Sequence, residues 1–409
     1  MNARPLHPDA AVMAKTGPWG RVTGHCTPAF APVAEAFVTN FAERGEVGAG
    51  VCIDHKGQRV VDLWGGRVAP EPDAPEWQAD TLTCVFSCTK AATALTVHSL
   101  VAENVLDLDI PLARLWPDFG AQGKDTITLR HVLDHKAGLP VLRDPVKADC
   151  LLDPAYMAGR LAAEAPFWDP GSRIGYHPFS FGYLVAEVVL RATGKTLGSV
   201  FRDRIAGPLS VDVHIGLPPE DEPRVAPTLL WRPGPDMAPS AFFAAARKPG
   251  TIQNLFVFNH GRWASQGVNT REGRAAENGA AGGMASARGL CALMGAVLPD
   301  RAPSLGLTAE QIAALGQPTA ETPRDETLLR SMRFGSGFML SMAEDMPGNG
   351  SFQVRPGAFG HIGAGGAAAF ADPALGLAFG YAMNRQGPGL LANPRGQALI
   401  DAACLAGSA

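Results

Sequence analysis

Apolar positions recur along the chain with several different periods. From Pro32 to Arg44, Val33, Phe37 and Phe41 return every four residues, which predicts a helix with one apolar face. Two apolar runs follow, Val47 to Ile53 and Arg59 to Leu63, separated by Lys56-Gly57; they predict a β-hairpin. A third pattern begins at Phe86. After Lys90, twelve residues from Ala91 to Ala102 contain no Asp, Glu, Lys or Arg, so this segment predicts a helix buried nearly all round. Thr128 to His135 reads as a short helix ended by Gly138 and Pro140, Ser180 to Thr193 as an amphipathic helix stopped at Gly194, and Ala285 to Val297 as another helix. Near the end, GAAAFADPALGLAFGYAMN (Gly366 to Asn384) predicts two strands around an Asp372-Pro373 turn.

Strands near both termini with helices between them predict one sheet built from both chain ends. Residues 1–110 and 285–409 form the α/β part of this layout, and 111–284 a mainly helical insertion, with a cleft between them. From His214 to Gly273, Pro and Gly interrupt every period, and this loop-rich stretch is expected to be a lid or a substrate wall.

Composition narrows the function classes. The chain is 18% charged with a formal net charge of -4, so nothing in its balance favours nucleic acid or an anionic membrane as partner. Pro356 to Asn384 is the most apolar stretch, but Asp372, Pro373 and its glycines argue against a membrane span. The first twenty residues show no secretory pattern. Seven cysteines in 409 residues make no disulfide framework and are expected to be free thiols of a cytoplasmic protein. Cys84 and Cys88 lack the second pair that a zinc site needs.

The lysine at the head of an uncharged helix is the feature that carries chemistry. Ser87 and Lys90 are three apart and share a helix face. At the first turn, unpaired N–H groups and the helix dipole favour developing negative charge. A desolvated lysine shifts towards its neutral form and becomes a proton acceptor. The pattern therefore supports Ser87 as nucleophile, Lys90 as base and the helix N-terminus as part of an oxyanion site. Taken alone, S-x-x-K occurs by chance in many proteins, and a serine ahead of a helix is usually just a cap.

Two further stretches accompany it: WDPGSRIGYHPFSFGYLVAEVVLRATGK (Trp168 to Lys195), with Tyr176 in a turn before a helix, and FGHIGAGG (Phe359 to Gly366), leading into the terminal strands. With ITLRHVLDHKAGLP (Ile127 to Pro140), these motifs resemble the serine β-lactamase and penicillin-binding superfamily, and within it the class C-like family VIII carboxylesterases. The resemblance spans about Val33 to Arg385. It implies an α/β (α+β) fold with an antiparallel sheet flanked by helices and an inserted helical domain. It also implies a serine hydrolase that cleaves short-chain carboxylic esters through an acyl-enzyme on Ser87, with Lys90 and Tyr176 moving protons. The implied oxyanion donors are the backbone N–H groups of Ser87 and Ala364. No metal or cofactor is implied, and the expected partner is a small-molecule ester.

The chain departs from the superfamily at two places. Pro178 stands where penicillin-processing members carry Asn in Y-x-N, and His361 where they carry the lysine of K-T-G. Without that amide and that permanent cation, β-lactams and peptide carboxylates should be held poorly, whereas neutral esters need neither. His361, Gly363 and His177 are the expected substrate-side residues, with bracing of the strand by His361 and a structural hydrogen bond from His177 as the competing readings. Acyl transfer to an alcohol, weak β-lactam hydrolysis and a catalytically silent ligand-binding homologue remain as alternatives. Four other patterns are set aside. His131 and His135 lack the adjacent glutamate of a zinc helix. Gly363 to Ala368 fits G-x-G-x-x-A without opening a helix, and Gly194-Lys195-Thr196 lacks the first glycine of a phosphate loop. Asp107 and Asp109 read as a solvated turn.

Overall fold

The structure is a computed structural model that describes residues 4–231, 240–342 and 352–408. Its core is a ten-stranded, wholly antiparallel sheet. In chain order the strands are β1 (Ala11–Gly17), β2 (Gly20–Cys26), β3 (Gly48–His55), β4 (Gln58–Gly66), β5 (Ala320–Thr322), β6 (Met332–Gly335), β7 (Phe338–Leu340), β8 (Phe359–Ile362), β9 (Ala368–Asp372) and β10 (Leu377–Met383). Their spatial order is β1-β2-β4-β3-β10-β9-β8-β7-β6-β5. The two chain ends thus meet at the centre, where β3 pairs with β10 from Ala49↔Met383 to His55↔Leu377.

Both expected hairpins are present. His55 pairs with Gln58 across Lys56-Gly57, whose φ angles of 47° and 86° are those of a tight left-handed turn. Asp372 pairs with Leu377, and its carboxylate accepts the Leu375 N–H at 3.1 Å. Every residue of β10 is buried, because helices cover both sheet faces. The helix Ala287–Gly295 lies over Ala378 and Gly380, and a Cβ at Gly380 would stand 2.3 Å from the Ala287 carbonyl. On the other face the C-terminal helix Pro394–Ser408 approaches Leu377 and Tyr381 and packs on the helix Ala31–Glu43.

The helix Thr89–Ala102 is buried from Thr89 to Leu100, as its lack of charge predicts. The helix Ser180–Thr193 has the expected bounds and is closed by Gly194 in the left-handed region, whereas the helix expected at 128–135 is shorter, Leu129–Leu133, capped by Thr128. A small sheet of Thr83–Cys84, Met284–Ala285 and Val213–His214 ties the approach to the central helix to the segment after Asn278. Within 214–273 the helices among the described residues are all short, Ala241–Ala246 and Ile252–Phe258 among them. Among the parts of the fold not foreseen are the β1–β2 hairpin, the strands β5 to β7, the helix Pro154–Ala163 and the C-terminal helix.

Candidate active site

Phe86 connects the small sheet to the central helix with φ at +44°, a left-handed conformation that non-glycine residues adopt at a cost of about 1–3 kcal/mol. The turn is held by three bonds: Thr89 Oγ1 donates to the Phe86 carbonyl at 2.5 Å, Cys84 Sγ to the Ala281 carbonyl at 3.4 Å, and Cys88 Sγ to the His361 carbonyl at 3.4 Å. Ser87 is thereby carried to the mouth of the helix, where it lines a cavity. The two thiols flanking it are structural, and burial raises the pKa of both.

Lys90 is fully buried one turn further in. Its Nζ donates to the carbonyls of Pro178 and Ala280, each at 3.0 Å, and lies 3.3 Å from Ser87 Oγ. Burial lowers its pKa well below that of an ordinary lysine; the smaller influence of Cys88 acts the other way. A neutral amine has two N–H bonds and one lone pair. In that form, with both N–H bonds given to the two carbonyls, the lone pair would face the serine hydroxyl.

The two acceptors are positioned by close approaches. Asn278 Oδ1 accepts the N–H groups of Ala280 and Ala281 at 2.9 and 3.2 Å, fixing the turn that presents the Ala280 carbonyl. Gly182 lets the helix Ser180–Thr193 come against this turn, since a Cβ there would meet Ala280 N at 2.5 Å. Pro178, which removes a side-chain amide from the site, contributes its backbone oxygen instead.

Tyr176 is buried and lines the same cavity beside Ser87. Its ring lies under the lysine, with Lys90 Nζ 4.6 Å from the ring centroid. Burial raises the phenol pKa, and the proximity of Ser87 lowers it to a lesser degree. The contact with Ser87 falls short of a well-formed hydrogen bond, and among the described residues Tyr176 Oη has no full partner. The backbone N–H of Tyr176 donates to Asp325 at 2.8 Å. Asp325 is fully buried and also accepts the N–H groups of Thr327 and Leu328 at 2.8 and 2.7 Å. Burial is the largest influence on Asp325 and, against these three bonds, pushes its pKa up to about 7. Neither Asp325 nor Asn278 was singled out by sequence reasoning. An aspartate or asparagine bonding N–H groups two and three residues on is an ordinary turn signal, and sequence does not reveal that these turns are buried against the site.

Ala364 follows β8 and lines the cavity. Gly363 before it passes over Val85: a Cβ at Gly363 would stand 2.2 Å from the Val85 carbonyl. A glycine is therefore required for β8 to lie beside the serine turn. The structure brings together Ser87, Lys90, Tyr176, Gly363 and Ala364. It does not bring the two histidines to the cavity. His177 is buried, its Nδ1–H donating to the Gly175 carbonyl at 2.6 Å and its Nε2 accepting the Leu139 N–H at 3.1 Å. His361 is also buried, with its Nδ1–H on the Ile362 carbonyl at 2.9 Å, its Nε2 unpartnered among the described residues and its ring 6.2 Å from that of Tyr176. Burial lowers the pKa of each to about 3, so both are neutral. These are the geometries of the bracing readings.

The set-aside motifs have structural employment. His131 Nδ1 accepts the Thr128 N–H at 3.2 Å and His135 Nδ1 the His177 N–H at 3.1 Å. Asp109 pairs with Arg130 at 2.7 Å. Among the described residues one compact group of metal-ligating types exists, Cys52, Asp54 and Cys291, but Asp54 is already paired with Arg59 at 3.0 Å and lies 3.6 Å from Arg4.

The cavity of about 660 Å³ is lined largely by aromatic and aliphatic side chains, including Phe86, Phe179, Leu230, Trp231, Phe242 and Phe256. Much of this wall comes from the loop-rich stretch expected to supply it.

Residues 33–403 match the family model described as Beta-lactamase. The chain is 36% identical over 383 residues to "Esterase/beta-lactamase LipL" of Mycobacterium tuberculosis, an alignment covering 89% of this chain and 83% of that protein. A penicillin-binding protein homologue from Caulobacter crescentus superposes with a TM-score of 0.80 at 37% identity, covering 94% of this chain and 99% of the other. A family VIII carboxylesterase superposes with a TM-score of 0.79 at 34% identity, with the same coverage. The large antiparallel sheet flanked by helices matches the β-lactamase/transpeptidase-like fold. The chain belongs to the Beta-lactamase family.

Proposed function

We propose that this family member is a serine ester hydrolase that works through an acyl-enzyme on Ser87. The observation that carries the reading is the arrangement of Lys90: two carbonyls take its N–H bonds and the remaining position faces Ser87 Oγ. In the first step the serine proton passes to Lys90 as Oγ attacks the ester carbonyl. The oxyanion forms against the N–H groups of Ser87 and Ala364, each such donor contributing about 10²–10³-fold in rate. Tyr176, between the amine and the cavity, hands a proton to the departing alkoxide and takes back from Lys90 the proton that came from the serine. Water then enters and the same relay releases the acid. General acid–base transfer of this kind contributes about 10²–10⁴-fold.

The neutral, buried His361 supplies no cation at β8 for a β-lactam or peptide carboxylate, which favours ester cleavage over β-lactam hydrolysis. A cavity of about 660 Å³ falls within the range that encloses drug-sized ligands, so a short acyl chain would fill only part of it. Its apolar lining also favours a second reading, transfer of the acyl group to an alcohol, because a site that excludes water lets an alcohol compete. All seven cysteines are free thiols, which fits a cytoplasmic location; among the described residues no helix is long and apolar enough to cross a membrane.

Wild type is expected to release nitrophenol from 4-nitrophenyl butyrate and to be labelled at Ser87 by a fluorophosphonate. Ser87→Ala should lose both while unfolding at the same temperature. Retained turnover in that variant would refute the assignment, and an unlabelled wild-type serine would point to the silent homologue. Nitrocefin turnover and product analysis with an added alcohol measure the two remaining alternatives.

A further inference from the structure

Among the described residues that line the catalytic cavity, one carries a charge: Arg262. It belongs to a covering segment, residues 240–270, that contains Arg247, Lys248 and Arg262 and no Asp or Glu, in a chain whose overall formal charge is -4. Among the described residues none of the three cations is joined to a carboxylate. Arg262 is held by a built turn. Gly261 and Arg262 are both left-handed, at φ 63° and 61°. The Arg262 carbonyl accepts the N–H groups of Ser265 and Gln266 at 3.2 and 2.9 Å, and a Cβ at Gly261 would stand 2.1 Å from the Ala148 carbonyl. Arg262 is an exposed residue at the rim of this apolar cavity, and its backbone is fixed. Apolar walls focus the field of a single charge, and a guanidinium matches a carboxylate with two parallel N–H bonds.

We propose that the natural substrates are esters whose apolar body ends in a carboxylate, with that carboxylate read by Arg262 on the covering segment. The proposal rests on the ester chemistry assigned to Ser87. It assigns the anion to a wall other than β8, where His361 is neutral and enclosed. An apolar stretch of substrate lies along the aromatic lining, the carbonyl reaches Ser87, and the charged end remains at the rim.

The test compares matched esters in wild type, Arg262→Gln and Arg262→Glu. One pair places the charge on the acyl side, mono-4-nitrophenyl suberate against 4-nitrophenyl octanoate. The other places it on the alcohol side, 4-acetoxybenzoate against phenyl acetate. The readout is the anionic-to-neutral ratio of kcat/KM. In one of the two pairs the ratio should fall about tenfold in Arg262→Gln and further in Arg262→Glu, through KM. The wild-type KM for that anionic ester should rise with added NaCl more steeply than the variants'. Ratios unchanged by either substitution in both pairs would overturn the proposal. Nitrophenol release from the octanoate that depends on Ser87 separates that outcome from a failure of the ester assignment, in which no ester would be turned over through the serine.

Discussion

Among the described residues the hydroxyl of Tyr176 is a buried polar group without a full partner, a condition that proteins seldom keep for stability. Removing such a group costs no hydrogen bond, so Tyr176→Phe should leave the urea midpoint unchanged or raise it. The same substitution removes the proposed proton donor and should lower kcat for 4-nitrophenyl butyrate by about 10²–10⁴-fold. Stability and rate moving in parallel would assign the phenol a structural role. Lys90 is the complement: its N–H bonds are satisfied, and its depressed pKa means that the base form persists below the usual lysine range. This pair was legible in the sequence because its signal is local. A lone cation at the head of an uncharged helix, three residues from a serine, needs no knowledge of distant contacts. The carbonyls of Pro178 and Ala280 were not legible, since a backbone oxygen carries no side-chain signature.

At the scale of an element, the site depends on a loop that grips another loop. Asp325 joins the 325–328 turn to the backbone of Tyr176 from a fully buried position, and its pKa of about 7 lies above the ordinary 3.8. Between these values the unfolded chain loses its proton before the folded one does. The native state binds more protons, so this group's contribution to stability declines as pH rises from about 4 to about 7 and is level above. Asp325→Asn keeps a carbonyl oxygen for the N–H groups and removes the titration. Its unfolding free energy relative to wild type should therefore rise across that interval; a constant difference from pH 4 to 8 would refute the linkage. The loop-rich stretch presents the opposite case. Its composition announced a wall, and part of the cavity wall comes from it, but the packing of its Phe256 against Phe242 and against Phe179 outside it follows from tertiary contact, which no local period encodes.

Across the whole molecule, the two chain ends are joined by buried charge as well as by strands. Glu46, fully buried, accepts from the Tyr381 hydroxyl and from Arg395 Nη1 at 2.8 Å, tying the segment before β3 to β10 and to the C-terminal helix. Arg395→Ala would leave Glu46 enclosed without its cation and should cost about 3–5 kcal/mol, read as a lower urea midpoint. A loss below 1 kcal/mol would mean that the tie is dispensable. That the sheet is made from both ends was legible from strand signals near each terminus. The C-terminal helix was missed because Gly396, Gly407 and its alanines blur the helical apolar period, and β1 because it is largely exposed, with few apolar residues to reveal it.

The pairing of β3 with β10 also sets a timetable. More than three hundred residues separate His55 from Leu377, so at a synthesis rate of roughly 5–20 residues per second the partner leaves the ribosome roughly a quarter of a minute to a minute later. During that interval the nascent β3–β4 hairpin carries an apolar edge with no neighbour, the type of surface that recruits other chains. Completion of the enzyme is then an event of the last stretch of translation, and a ribosome that stalls before β10 leaves a sticky half-sheet rather than a smaller working protein.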